Sequence, residues 1–248
     1  TLNRTLNDLK SSLAKAVEWG LIETHPIAGV KRIRVDTNPE ARFLSGDEHK
    51  RLIKALDGRE NKLRAERERA NDWRRARDYP LLADLRTHAF ADHLKPMVIL
   101  SLNTGLRRGE LFGLTWRSVH LKEKYITVRG TNTKNQRTRH IPLNAEALTC
   151  LTKWQEQAPA SEGLVFPGKG GKKFDNVNSS WRRIVKDAQV QKFRWHDLRH
   201  TFASHLVMKG VDLNTVRELL GHSDLQMTLR YAHLSPDHKA AAVARLEA

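Results

Sequence analysis

The chain has 248 residues with 44 Lys+Arg against 28 Asp+Glu, a net charge of +16, and 39% hydrophobic residues. That is apolar enough for one large core, or one large and one small, and excludes a disordered chain. So basic a balance calls for a polyanionic partner, nucleic acid before an acidic membrane surface, although a merely solvated charged face would give the same count. No apolar run reaches the roughly 18 residues of a membrane span, and the N-terminus lacks a signal-peptide pattern. The single cysteine, Cys150, can form neither an intrachain disulfide nor a Cys-rich zinc site, so a reducing, cytoplasmic setting is expected.

Leu2, Leu6, Leu9, Leu13, Val17 and Leu21 recur at steps of three and four, the stripe of a helix that needs a packing partner. With Thr1 in place of Met, the expectation is a fragment whose preceding helices are absent. Gly20 and Pro26 end this helix. Lys31, Arg32 and Arg34, then Asn38-Pro39, form a basic linker suited to lie on a polyanion. Ser45-Gly46-Asp47-Glu48 is a capping box that opens a second unit. Residues 57–78 mix both charge signs at helical spacing and are expected to form an exposed, inserted helix; whether it touches DNA stays open. An apolar helix over 92–103 runs into Thr104-Gly105. Residues 125–129 and 137–143 read as two strands joined by a polar turn. Helices are expected over 144–157, 176–189, 197–209, 213–221 and 224–233, with a tail helix after Pro236.

Arg107, Arg108 and Glu110 stand at what reads as a helix start, where backbone donors and the dipole favour a phosphate and an arginine can fork onto two oxygens. His196-Asp197-Leu198-Arg199-His200 puts 196, 199 and 200 on one helix face. Its paired histidines imitate a zinc motif, but Arg199 would set a fixed cation beside the metal and no third ligand is near, so a phosphate is the better guest. Gly163 to Lys169 opens like a P-loop, yet Gly170 replaces the Ser/Thr that would bind Mg²⁺ and the apolar interior suits a strand, so no ATP site is expected. Tyr231 follows His222 by nine residues. A tyrosine is a poor nucleophile unless cations ease its ionisation, and on spacing alone a core role outweighs a nucleophilic one.

Together, Thr104-Gly105-Leu106-Arg107-Arg108-Gly109-Glu110-Leu111, His196 to Thr201, Leu220-Gly221-His222 and Tyr231-Ala232-His233 resemble the tyrosine recombinase family, specifically phage-type integrases. The resemblance implies a mainly α fold with a small β-hairpin or sheet. It places the end of a helical core-binding domain at 1–35, a linker at 36–42 and the catalytic domain at 43–248, with the charged insertion near 57–78. It makes Tyr231 the nucleophile, Arg107 and Arg199 clamps on the scissile phosphate, and Lys134 the acid that protonates the leaving 5′-oxygen. His196 becomes a general base or hydrogen-bonding group, His222 the holder of a nonbridging oxygen and Glu110 a support. Lys31, Arg32, Arg34 and Arg108 are expected DNA contacts. The implied activity is site-specific cleavage and rejoining of DNA through a 3′-phosphotyrosine, without metal or cofactor. The implied partners are double-stranded attachment-site DNA, a homotetramer on that DNA and accessory DNA-bending proteins, with no membrane. Alternatives are a catalytically silent DNA-binding regulator, type IB topoisomerase-like relaxation, and a metal-dependent nuclease that EDTA would inactivate.

Overall fold

The computed structural model describes residues 2–33, 41–130, 138–158 and 162–235. The chain divides into two compact units, Thr1–Pro39 and Glu40–Ala248.

The first unit is a helix, α1 (Leu2–Glu18), and a return segment tied to its polar face. Asn3 brackets Ile33 through both backbone groups, Arg32 Nε donates to Asn7 Oδ1, and Lys10 Nζ donates to the carbonyls of Ala28 and Val30. Leu2, Leu9 and Leu21 of the apolar stripe are exposed.

In the second unit, α2 (Gly46–Arg75) starts at the expected capping box, with Glu48 N–H donating to Ser45 Oγ and Ser45 N–H to the Glu48 carboxylate. The helix runs unbroken through the charged stretch as far as Arg75, so that stretch is the second half of α2, largely exposed as expected but with several polar side chains engaged by the chain that follows. The reason lies in the following segment, which has no hydrogen-bond ladder of its own. Arg64 donates to the carbonyls of Leu85, His88 and Ala89, Arg67 to Ala83, and Arg74 to Pro80. Asn71 clasps both backbone groups of Leu82. Arg59 pairs with Asp92, and Glu60, only 3% exposed, accepts from Ala91 N–H. Burial raises the Glu60 pKa.

At the centre is α3 (Leu94–Thr104), buried on nearly every side and packed against α5 (Ala145–Gln157) and α7 (Asp197–Met208). A helix apolar all round belongs inside a fold. Its Ser101 and Thr104 hydroxyls donate back to the carbonyls of Met97 and Leu100, so they are buried without an orphaned donor. After the short α4 (Arg108–Phe112) comes an antiparallel sheet in the order β1 (Val119–His120), β2 (Tyr125–Val128), β3 (Arg139–Pro142). The hairpin expected from sequence thus gains a short third strand. Ile126, Val128 and Ile141 face the core. Residues 163–165 pair with 114–116, and Val165 and Phe166 are fully buried, an extended strand-like pairing rather than a phosphate cradle.

The remaining helices are α6 (Asn178–Asp187), α8 (Leu213–Leu220) and α9 (Gln226–Leu229). The helix expected over 224–233 shrinks to α9 and a 3₁₀ turn at Ala232–Leu234, with Tyr231 between them. Ala203, Val207, Val216, Leu220 and the Tyr231 ring form a second apolar cluster. No described helix is long and apolar enough to cross a membrane. The tail expected after Pro236 lies outside the described residues.

Candidate active site

Two helices end on left-handed glycines, α3 at Gly105 (φ 61°) and α8 at Gly221 (φ 64°), a conformation that costs a side-chain-bearing residue. A Cβ at Gly105 would collide with the Phe202 ring, and one at Gly221 would lie 2.8 Å from Arg139 Nη1. The chain passes this closely because the carbonyls around both glycines bind arginines. Arg199 Nη1 donates to Gly105 O at 2.7 Å and its Nη2 to Leu220 O at 2.6 Å. Arg107 Nη2 donates to Gly221 O at 2.9 Å, and Arg139 Nε to Leu219 O at 3.1 Å. Three successive carbonyls at the end of α8 thus each hold one guanidinium. Carbonyls at that end have no intrahelical partner and carry the negative end of the helix dipole, so they favour cations.

Glu110 balances the cluster. Its carboxylate accepts from Arg107 N at 2.8 Å, Arg107 Nη1 at 3.0 Å, and Arg139 Nη1 and Nη2 at 3.1 and 2.6 Å. Burial alone would raise its pKa, but the hydrogen bonds and charge of Arg139, then Arg107, outweigh this and hold it below the ordinary value. The helix-start argument for a phosphate at Arg107 is corrected by this geometry. The helix α4 has only five residues, and the Arg107 backbone N–H is already taken by Glu110. Arg107 is aimed by Gly221 instead.

Arg199 is 3% exposed, and burial followed by the charge of Arg107 brings its pKa down to about 9, so it remains a cation at neutral pH. His222 Nδ1 shares a 2.8 Å hydrogen bond with the buried Thr228 hydroxyl. Burial, then Arg199 and Arg107, push its pKa down to about 3, so the ring is neutral. Arg107, Arg139 and His222 line a cleft of about 1980 Å³ together with Arg117, Lys173 and Arg217.

Tyr231 is 1% exposed, its ring packed in the second apolar cluster and its hydroxyl 2.6 Å from His200 Nδ1. The core role and the polar role are therefore both realised, one by the ring and one by its tip. Burial pushes the Tyr231 pKa up to about 12, although Arg199 and Arg230 act in the opposite direction. Tyr231 does not line the cleft; it is turned toward α7.

His196 stands apart. It is exposed at the start of α7, edge-to-face with His200 at 4.9 Å, and lines a separate hollow with Arg108, Arg182 and Arg194. Partial desolvation and the charge of Arg199 lower its pKa. Positions 196, 199 and 200 therefore do not act on one point: Arg199 turns to the glycine carbonyls and His200 to Tyr231. Among the described residues no three His, Cys, Asp or Glu side chains converge as a metal-ligand set. Exposed Arg108 lines the His196 hollow rather than the Arg107 cleft. Lys31 and Arg32 are exposed in the first unit; Lys134 and Arg34 lie outside the described residues.

Two residues of this cluster escape the sequence reading, Arg139 and Thr228, while His200 is singled out there only with His196 and Arg199 on one helix face and not as a partner of Tyr231. A signal existed for Arg139, since it shares the inward face of β3 with Ile141, two positions on. Nothing local marks Thr228 as the partner of His222.

The phage integrase family model matches residues 79–238. The chain is 33% identical over 156 residues to the integrase of Salmonella phage P22, covering 58% of this chain and 40% of that protein. It is 30% identical over 245 residues to the tyrosine recombinase XerC of Xanthomonas campestris pv. campestris, covering 97% of this chain and 66% of the relative. The chain thus spans well under half of the first relative and just under two thirds of the second. Among solved structures, the catalytic domain of bacteriophage HP1 integrase superposes with a TM-score of 0.56 at 27% identity, over 83% of this chain and 95% of that one. A Tn1549 transposon integrase in complex with a circular intermediate DNA gives a TM-score of 0.68 at 21% identity, over 99% and 79%, a likeness of fold.

Proposed function

The chain belongs to the phage integrase family, and from that premise we propose that it cleaves and rejoins duplex DNA at specific sites through a 3′-phosphotyrosine on Tyr231, integrating or excising a phage or other mobile element. The observation that carries this reading is the fixing of Arg107 and Arg199 on the adjoining carbonyls of Gly221 and Leu220, beside His222.

Attack on a phosphodiester builds negative charge on the nonbridging oxygens and must expel a poor leaving group in line. The Tyr231 oxygen forms a bond to phosphorus while the bond to the 5′-oxygen breaks. Arg107 and Arg199 hold the nonbridging oxygens with guanidiniums already immobilised by backbone carbonyls, so little reorganisation accompanies charge development. His222 holds a nonbridging oxygen, Lys134 gives a proton to the departing 5′-oxygen, and His196 serves as a hydrogen-bonding group at the edge of the site. Glu110 keeps Arg107 in place. Because the phosphotyrosine retains the bond energy, rejoining needs no nucleotide, and the side-chain cations supply the charge stabilisation.

In the same reading, residues 1–35 are the end of a core-binding domain and 36–42 a linker, with Lys31, Arg32, Arg34 and Arg108 on neighbouring phosphates. The working form is a homotetramer on attachment-site DNA in the cytoplasm, helped by DNA-bending proteins. A nicked suicide substrate tests the core of the proposal. The unaltered protein should accumulate a covalent adduct, and Tyr231→Phe should bind DNA yet form none; adduct formation by that variant would overturn it.

A further inference from the structure

Resting on the recombinase reading above, we infer that His200 is the group that accepts the phenolic proton of Tyr231 as the tyrosine attacks DNA. The sequence resemblance directs that role to His196, but the geometry favours its neighbour one turn further along α7. His200 Nδ1 lies 2.6 Å from the Tyr231 hydroxyl, within direct proton-transfer distance, and both side chains are buried. His196 is exposed, and its ring packs against His200 rather than meeting the tyrosine.

Electrostatics assign the direction of the proton. Tyr231, pushed up to about 12, keeps its hydrogen at neutral pH, while burial and then the charge of His196 bring His200 down to about 4, leaving its ring neutral. The phenol then donates to an unprotonated Nδ1, with the imidazole hydrogen on Nε2. The charged or titratable groups facing His200 are Arg194, His196 and Asp197 from its own segment, His222 just past the end of α8, and Arg230 and Tyr231 from the C-terminal segment. Arg199, the preceding residue of α7, is close enough to Tyr231 for the two to shift each other's ionisation. One helix therefore carries both the clamp for the phosphate and the acceptor for the nucleophile's proton.

The step balances. As the Tyr231 oxygen bonds to phosphorus, its proton passes to His200 Nδ1, and the 5′-oxygen leaves with a proton supplied by Lys134. On rejoining, the 5′-hydroxyl attacks and returns that proton, and the His200 imidazolium reprotonates the departing phenolate. No proton is gained or lost over the cycle.

Single-turnover adduct formation separates this role from a packing role, using suicide DNA with either the natural 5′-oxygen or a bridging 5′-sulfur at the scissile position. Sulfur leaves without protonation, so it should rescue Lys134→Ala but not a His200 variant, whose defect is at the nucleophile. His200→Ala should slow the adduct by about 10²–10³-fold on both substrates. His200→Asn retains an acceptor oxygen near the Nδ1 position but cannot take up a proton. It should melt like the unaltered protein, remain slow, and gain rate with rising pH where the unaltered enzyme is flat.

Rates at or above the unaltered level in either His200 variant would overturn the inference, as would a slow Asn variant with an unchanged pH profile or rescue of His200→Ala by sulfur. Absence of an adduct from the unaltered protein would overturn the recombinase reading instead.

Discussion

Replacing Arg139 by Met probes the network that holds the arginines, because Arg139 touches both Glu110 and the end of α8. The substitution removes three donated hydrogen bonds, one to Leu219 O and two to the Glu110 carboxylate. The side chains are 13% and 20% exposed, so little water is available to replace them. Breaking a largely buried pair typically costs 3–5 kcal/mol, and Arg107 still serves Glu110, which places the loss near the lower end, about 3 kcal/mol. For a unit of this size that is a fall in Tm of about 6–12 °C. Glu110 also gives the loss a pH signature. Its folded pKa is lowered, so it stabilises the fold above its ordinary value of 4.5, and that contribution disappears as pH falls through the lowered folded value. Without Arg139, the two strongest influences that lower this pKa are gone, so it rises and the carboxylate's stabilising contribution shrinks. The gap between the two proteins should therefore be widest near neutrality and narrow on acidification to about pH 3.5. Thermal or urea melts at the two pH values, with Glu110→Gln closing a double-mutant cycle, test this. A gap independent of pH, or a fall in Tm under about 2 °C, would refute the assignment of Glu110 and Arg139 as a coupled pair.

Gly221→Ala should cost about 1–3 kcal/mol, because the left-handed backbone disfavours a side chain and the new Cβ meets Arg139; adduct formation should fall further than a denaturation midpoint indicates. His200 and His222 are depressed from 6.5 to about 4 and about 3, so the unfolded chain binds their protons first and stability should decline as pH falls below about 6.5. Urea midpoints across that range should decline less steeply in His222→Asn, the remaining slope belonging to His200. Lys173→Ala and Arg117→Ala, on the cleft wall, should weaken DNA binding, and each should reduce the slope of log affinity against log salt by about 0.9 for one phosphate no longer neutralised, read by fluorescence anisotropy across a salt series. A slope unchanged in both would place the DNA elsewhere.

The sequence carried the helices and the hairpin because their signals are local. The capping box at Ser45, the periodicity of α5 to α8 and the alternation in β2 and β3 each sit within a few residues. What it misread depended on distant backbone. The charged half of α2 looks wholly solvated until the carbonyls of 80–89 are seen to take up its arginines. Arg107 looks aimed by its own helix start until Gly221, far along the chain, proves to hold it. Arg199 and Tyr231 were legible as residues that mattered, but their partners were not. Hydrogen bonds from one part of the chain to another leave no periodic trace, and the motif that holds His200 points to a phosphate through Arg199 without marking Tyr231 as the partner of His200.

The anchoring of Arg107, Arg139 and Arg199 on the last three carbonyls around the end of α8 also makes their positions collective. Each residue of an α-helix turns the chain by about 100°, so deleting one residue within α8 would swing all three acceptors together away from their arginines. No single substitution elsewhere could restore them. Changes in the length of the loops feeding the three arginines, by contrast, leave the acceptors standing and disturb one cation at a time. For anyone redesigning this protein, α8 is the gauge block against which the rest is set: its length is fixed, while the segments that approach it can be varied.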